Sequence, residues 1–142
     1  MKNSQNITVV GSGYVGMSLA VLLSQHNNVT VLDIDPMRVN SINNKISTIE
    51  DSDIQNFLDK KDLSIKATLN KDEAYKDSNF VIIATPTDFN EEKQTFDTSS
   101  VDAVVNDALI YSKNALIIIK STIPIGYTAK LQKKYNNQDI IF

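Results

Sequence analysis

Residues 7–16 read Ile7-Thr8-Val9-Val10-Gly11-Ser12-Gly13-Tyr14-Val15-Gly16, an apolar, β-branched run that breaks into glycines just where a helical pattern begins. The chain has only four glycines in 142 residues, and three of them sit in this turn. Glycine used so sparingly marks a place where the backbone must bend tightly and approach something closely. In the spacing G-x-G-x-x-G, the first glycine (Gly11) makes the turn, the second (Gly13) lets the backbone approach a pyrophosphate, and the third (Gly16) lets helix and strand pack closely. The amides of Tyr14 and Val15 then stand at a helix N-terminus, where unpaired N–H groups and the helix dipole favour an anion. The plain alternative is a glycine-bearing turn that binds nothing.

Outward from this stretch the chain alternates strand and helix signals. After the strand at residues 7–10, helical spacing runs through residues 14–25, with Val15, Leu19, Leu22 and Leu23 expected on the buried stripe. A second strand covers residues 29–34, and Pro36 opens a helix through about residue 43. Residues 51–60 carry helical spacing, 63–69 a modest strand, 71–76 a brief helix and 80–84 a strongly apolar strand. The polar residues 88–96 read as a loop. Asp97 or Thr98 is placed to cap a helix through Val101, Val104, Val105 and Leu109. A buried strand at residues 115–119, a helix from Pro124 to about residue 135 and a last strand at 139–142 complete the order. Parallel neighbours need crossover helices, so this alternation predicts an α/β fold: a doubly wound parallel sheet in strand order 3-2-1-4-5-6, helices on both faces. Pro36, Pro86 and Pro124 all follow closely on predicted strands, which gathers loops of special shape at the carboxyl edge of the sheet.

Composition narrows the partners. With 42% apolar and 22% charged residues the chain is an ordinary globular domain. A net charge of -3 offers no electrostatic footprint for nucleic acid and no membrane-surface patch. No apolar stretch approaches the roughly 20 residues of a membrane span, and the first residues carry no apolar signal region. The absence of cysteine excludes disulfides, thiol catalysis and thiolate metal sites within this chain; no metal site is expected, and the location fits a cytoplasmic, reducing one.

Asp33, at the end of the second strand, stands where an acid accepts hydrogen bonds from the adenosine ribose, and its charge repels a 2′-phosphate, so NAD is favoured over NADP. Asp35 competes for that role from a less suitable position. Arg38 either lies over the adenosine or decorates a helix. The segments Ala84-Thr85-Pro86-Thr87-Asp88 and Lys120-Ser121-Thr122-Ile123-Pro124-Ile125-Gly126 end the two strands that flank the switch point. Hydroxyls of Thr85, Thr87, Ser121 and Thr122 are expected to face the nicotinamide half; for Ser121 a capping role is an equal alternative, and Thr122 is the stronger functional candidate. Lys120 reads as a strand-end lysine held by packing, and His26 as a surface residue.

Together GSGYVG with LDIDPMRV, then IIATPTD, then IIIKSTIPIGYT, resemble the NAD-binding Rossmann domain of the UDP-glucose/GDP-mannose dehydrogenase family over essentially the whole chain. The resemblance implies oxidation of the C6 hydroxymethyl of a nucleotide sugar to a carboxylate with two NAD per turnover, with a UDP-sugar, UDP-glucose first, as the expected substrate and GDP-mannose or an N-acetylated UDP-hexosamine as alternatives. It implies pyrophosphate contacts at Gly11, Gly13, Tyr14, Val15 and Gly16, ribose binding at Asp33, cofactor contacts at Thr85, Pro86 and Thr87, and Thr122 near the reacting centre. The family's nucleophilic cysteine, catalytic lysine and most sugar contacts lie in later domains, so residues 1–142 are expected to be one domain of a longer, homodimeric enzyme, inactive alone. Thr48 departs from the family, which often has proline there, and leaves the shape of that loop open. A stand-alone nucleotide-sensing module, like the regulatory domains of potassium channels, is the alternative from another class.

Overall fold

A computed structural model describes residues 3–142. The strand β1 (Asn6–Val10) leads through the glycine turn into α1 (Tyr14–Leu23), and β2 (Asn28–Leu32) leads into α2 (Pro36–Asn43). Then follow α3 (Ser52–Lys60), β3 (Ile65–Thr68), α4 (Lys71–Tyr75) and β4 (Phe80–Ile83). A hairpin of β5 (Asp88–Asn90) and β6 (Thr95–Asp97) precedes α5 (Ser99–Tyr111), β7 (Leu116–Ile119), α6 (Tyr127–Tyr135) and β8 (Ile140–Ile141).

Six strands form one parallel sheet in the order β3-β2-β1-β4-β7-β8, while β5 and β6 form a separate antiparallel pair. Setting the hairpin apart, this is the order read from the sequence. Alternation along the strands divides the core between two faces. Ile7, Val9, Val29, Val31 and Ile82 meet Met17, Ala20 and Val21 of α1, Ile42 of α2 and Leu58 of α3. Val10, Leu32, Val81, Ile83, Ile117 and Ile119 meet Ala74 and Tyr75 of α4, Val101, Val104 and Val105 of α5, and Leu131 of α6. The sheet is therefore covered on both sides, which is why its central strands read as continuous apolar runs. Among the described residues no helix is long and apolar enough to cross a membrane.

Three expectations are corrected, and the expected capping of α5 by Asp97 or Thr98 is divided between the two residues. In α1, Val15 and Leu22 are exposed and the buried side consists of Gly16, Met17, Ala20 and Val21. Once Gly16 is pressed against the turn, Ala20 four positions on shares its side of the helix, Met17 and Val21 form the adjacent row, and the leucines are turned away or half-buried. Residues 88–96 are not a plain loop. Phe89 and Phe96 face each other across the hairpin with ring centroids 5.0 Å apart, and Gln94 takes a left-handed φ of 50° to close it. Pro124 does not open α6; the Tyr127 N–H donates to the Pro124 carbonyl at 3.2 Å, and Gly126 at φ 82° completes a turn ahead of the helix. Thr98 occupies the N-cap of α5 without a side-chain bond, while Asp97 accepts from the Ser99 N–H at 3.0 Å. Hydrogen bonds from Ser99 hold the Asp97 carboxyl below the usual carboxylate range.

At the end of α4, Tyr75 is fully buried and stacks on Tyr111 at the end of α5, with centroids 5.8 Å apart. Its hydroxyl has no partner among the described residues, and burial pushes its pKa upward. An orphaned buried hydroxyl costs about 1–3 kcal/mol. Tyr75→Phe is therefore expected to raise the unfolding free energy by about 1 kcal/mol in urea titrations. The raised pKa also has a sign: below the ordinary phenol value of 10.0 Tyr75 is neutral both folded and unfolded, and above it stability falls as pH rises toward the folded value, so alkaline destabilisation should be shallower in Tyr75→Phe.

Candidate functional site

The crevice is set by topology. From β1 the chain crosses to one face through α1, whereas from neighbouring β4 it passes to the other face, so the carboxyl ends of these strands part and leave room between their loops. Gly11 lies at φ 96°, and a Cβ there would meet the Ala84 carbonyl oxygen at 2.6 Å. At Gly16 a Cβ would meet the Gly11 carbonyl oxygen at 2.0 Å. Both glycines are thus required by the protein's own packing. Gly13 differs: its backbone is extended (φ -75°, ψ -163°), and a Cβ there would meet nothing within 4 Å. Nothing inside the chain asks for glycine at that position, which leaves the space in front of it for an approaching ligand.

Gly13 is also the N-cap of α1, and no side chain caps it. The first helical bond runs from the Met17 N–H to the Gly13 carbonyl at 2.9 Å, so the amides of the turn before it have no helical carbonyl to serve. Tyr14 and Val15 are exposed on that turn. The geometry suits a pyrophosphate carried on backbone N–H groups and the positive end of a helix dipole.

Asp33 is tied directly to this turn. Its Oδ2 accepts from the Ser12 N–H at 3.0 Å and from the Ser12 hydroxyl at 2.5 Å, and its Oδ1 accepts from the Asp35 N–H at 3.0 Å. Ser12, buried at 1% exposure, is the site residue that sequence reading missed; it filled a wildcard position of the motif. Asp35 is committed elsewhere, capping α2 through the Met37 N–H at 2.8 Å. Arg38 is half-exposed on α2, its Nε 3.9 Å from Asp35 Oδ2.

Across the crevice, the loops after β4 and β7 brace one another. Ser121 is buried and its hydroxyl donates to the Thr85 carbonyl at 2.7 Å, so it neither caps a helix nor opens to the crevice. The Thr87 hydroxyl donates to the Thr122 carbonyl at 2.8 Å. Ser100 of α5 lies 3.0 Å from the Thr85 hydroxyl and 2.8 Å from the Pro86 carbonyl. Of the four hydroxyls expected to face a ligand, only that of Thr122 is both solvent-exposed and without a hydrogen bond among the described residues. Tyr127 donates to Asp102 and joins the starts of α5 and α6 behind these loops; burial pushes its pKa upward. Lys120 is exposed, with its Nζ 5.1 Å from the Phe142 ring centroid. His26 lies far from all of this, in an open polar hollow with Ser24, Asn28 and Asp62 at the amino edge of the sheet.

Residues 5–140 match the NAD binding domain of the UDP-glucose/GDP-mannose dehydrogenase family. The chain belongs to this family. It is 47% identical over 136 residues to a UDP-glucose 6-dehydrogenase of Streptococcus pneumoniae, covering 96% of this chain and 34% of that protein. A UDP-glucose 6-dehydrogenase of Campylobacter jejuni is 43% identical, with 96% and 35% covered. The chain thus spans about a third of the length of these relatives. Among solved structures, the UDP-N-acetyl-mannosamine dehydrogenase Cap5O from Staphylococcus aureus superposes with a TM-score of 0.80 at 25% identity, covering 92% of this chain and 32% of that one. Membership in the dehydrogenase family gives the nucleotide-sensor alternative no support.

The family's glycine turn can be dissected by stability alone. Gly16→Ala drives a methyl into backbone and is expected to cost at least about 3 kcal/mol. Gly13→Ala meets nothing and should change stability by no more than about 0.5 kcal/mol. Thermal melts of the two variants check this contrast.

Proposed function

We propose that this chain is the NAD-holding domain of a UDP-glucose 6-dehydrogenase that converts UDP-glucose to UDP-glucuronate. The observation that carries the reading is Gly13, a glycine the fold does not need, open at a helix N-terminus and one residue from the serine that grips Asp33. The names of the relatives at 47% and 43% identity favour UDP-glucose as the sugar nucleotide.

In this reading the segment from Gly11 to Gly16 receives the pyrophosphate, with the Tyr14 and Val15 amides donating to its oxygens. Asp33 accepts from the adenosine ribose and discriminates against a 2′-phosphate by charge; Arg38 borders the adenosine. Bound NAD supplies a hydride acceptor for each of two oxidations at C6, yielding two NADH. Thr85, Pro86 and Thr87, braced from behind by Ser121, wall the nicotinamide half. The free hydroxyl of Thr122 orients water or an acid–base group beside the reacting carbon. The chain has no cysteine, so a covalent second oxidation falls to residues outside it. We place the enzyme in the cytoplasm, as a homodimer in its full-length form.

Calorimetric titration of this chain tests the proposal. NAD is expected to bind with a micromolar-to-millimolar Kd and NADP at least about tenfold more weakly, a difference of about 1.4 kcal/mol. Asp33→Asn should narrow that gap by weakening NAD binding, and Gly13→Ala should lose NAD binding while staying folded. Equal affinity for the two cofactors, or NADH formation by this chain alone from UDP-glucose, would contradict the assignment.

A further inference from the structure

Every polar main-chain and side-chain group of Ser12 is already engaged within the protein. Its N–H and hydroxyl donate to Asp33. Its carbonyl accepts from the Thr48 hydroxyl at 2.6 Å, across a sequence separation of 36 residues. Thr48 sits in the segment between α2 and α3, and that segment is itself clamped. Gln55 of α3 donates from its amide nitrogen to the Lys45 carbonyl at 3.0 Å and accepts from the Ser47 N–H at 2.9 Å. The Ser47 hydroxyl donates to the Ile49 carbonyl at 2.8 Å, and Ile49 packs against the core on the α1 side of the sheet. The Thr48 hydroxyl is therefore presented from a fixed support.

The consequence follows from peptide geometry. The Ser12 carbonyl and the Gly13 N–H belong to one planar trans unit and point in opposite directions. Pulling the carbonyl toward Thr48 turns the Gly13 N–H the other way. A peptide next to a glycine has little steric resistance to rotation, since Gly13 tolerates most backbone angles. Without the Thr48 contact only the Asp33 side of Ser12 would be fixed, and the following peptide could swing.

We propose that Thr48 is a positioning residue for cofactor binding: its hydroxyl locks the Ser12–Gly13 peptide so that the Gly13 N–H is presented to a dinucleotide pyrophosphate. This deepens the NAD-binding reading above and rests on it. The residue touches no part of the ligand itself; it sets the direction of a donor that does.

Three forms of the chain are compared by calorimetric titration with NAD and by thermal melting: wild type, Thr48→Val and Thr48→Ser. Losing one hydrogen bond's worth of preorganisation is expected to weaken NAD binding about threefold to tenfold in Thr48→Val, with the melting temperature of the free chain nearly unchanged. Thr48→Ser keeps the hydroxyl and should restore wild-type affinity. An additional readout is the Gly13 amide resonance, whose response to NAD should shrink in Thr48→Val and return in Thr48→Ser. Wild-type affinity in Thr48→Val overturns the proposal, and so does a weakened Thr48→Ser. A Thr48→Val chain that melts early or does not fold assigns the hydroxyl to holding the fold and also overturns it. Failure of the wild type to bind NAD would instead overturn the NAD-binding reading, and the proposal with it.

Discussion

The structure depends on one contact that leaves no room for a side chain: the backbone of α1 at Gly16 against the carbonyl of Gly11. That approach seats the helix on the end of β1 and determines which side of α1 is buried. It also aims the helix N-terminus along the carboxyl edge of the sheet, where β1 and β4 part. One wall of the crevice is then attached to the same turn. The Gly11 N–H reaches the Leu32 carbonyl at 2.9 Å, Ser12 reaches Asp33, and Gly11 lies against Ala84 at the end of β4. A polar support built from Asp33 and Thr48 holds the middle of the turn from two sides.

The opposite wall is made differently. Its loops after β4 and β7 are joined by hydroxyl-to-carbonyl bonds from Ser121 and Thr87, with Ser100 closing the outer side. These threonines and serines thus serve first as braces, and Thr122 is the one left facing solvent.

Much of this was legible in the sequence because the signals were strong and local. The strands at β4 and β7 are unbroken apolar runs and β1 is interrupted only by Asn6 and Thr8, as expected of strands buried on both faces. Pro36 was a reliable helix start because Asp35 precedes it as a cap, whereas Pro124 was not, because Gly126 still had to close a turn. The buried side of α1 could not be read: YVGMSLAVLL is apolar almost all round, so periodicity had no polar face to contrast with. The hairpin was missed because its strands have three residues each and only Phe89 and Phe96 mark the alternation. Asp33 was singled out by its place at the end of the second strand, while Ser12 and Thr48 were not assigned roles, since a serine at a wildcard position and a contact made across the fold leave no local pattern.

The central claim is that a dinucleotide is held by the backbone of the glycine turn. An amide-resolved NMR titration of this chain with NAD tests it most directly. The account expects the largest shifts at Gly13, Tyr14, Val15 and Gly16, with smaller ones at Asp33 and Thr122. Shifts centred on the polar hollow around Ser24, His26 and Asp62 at the other edge of the sheet, with the glycine turn silent at saturation, would contradict it.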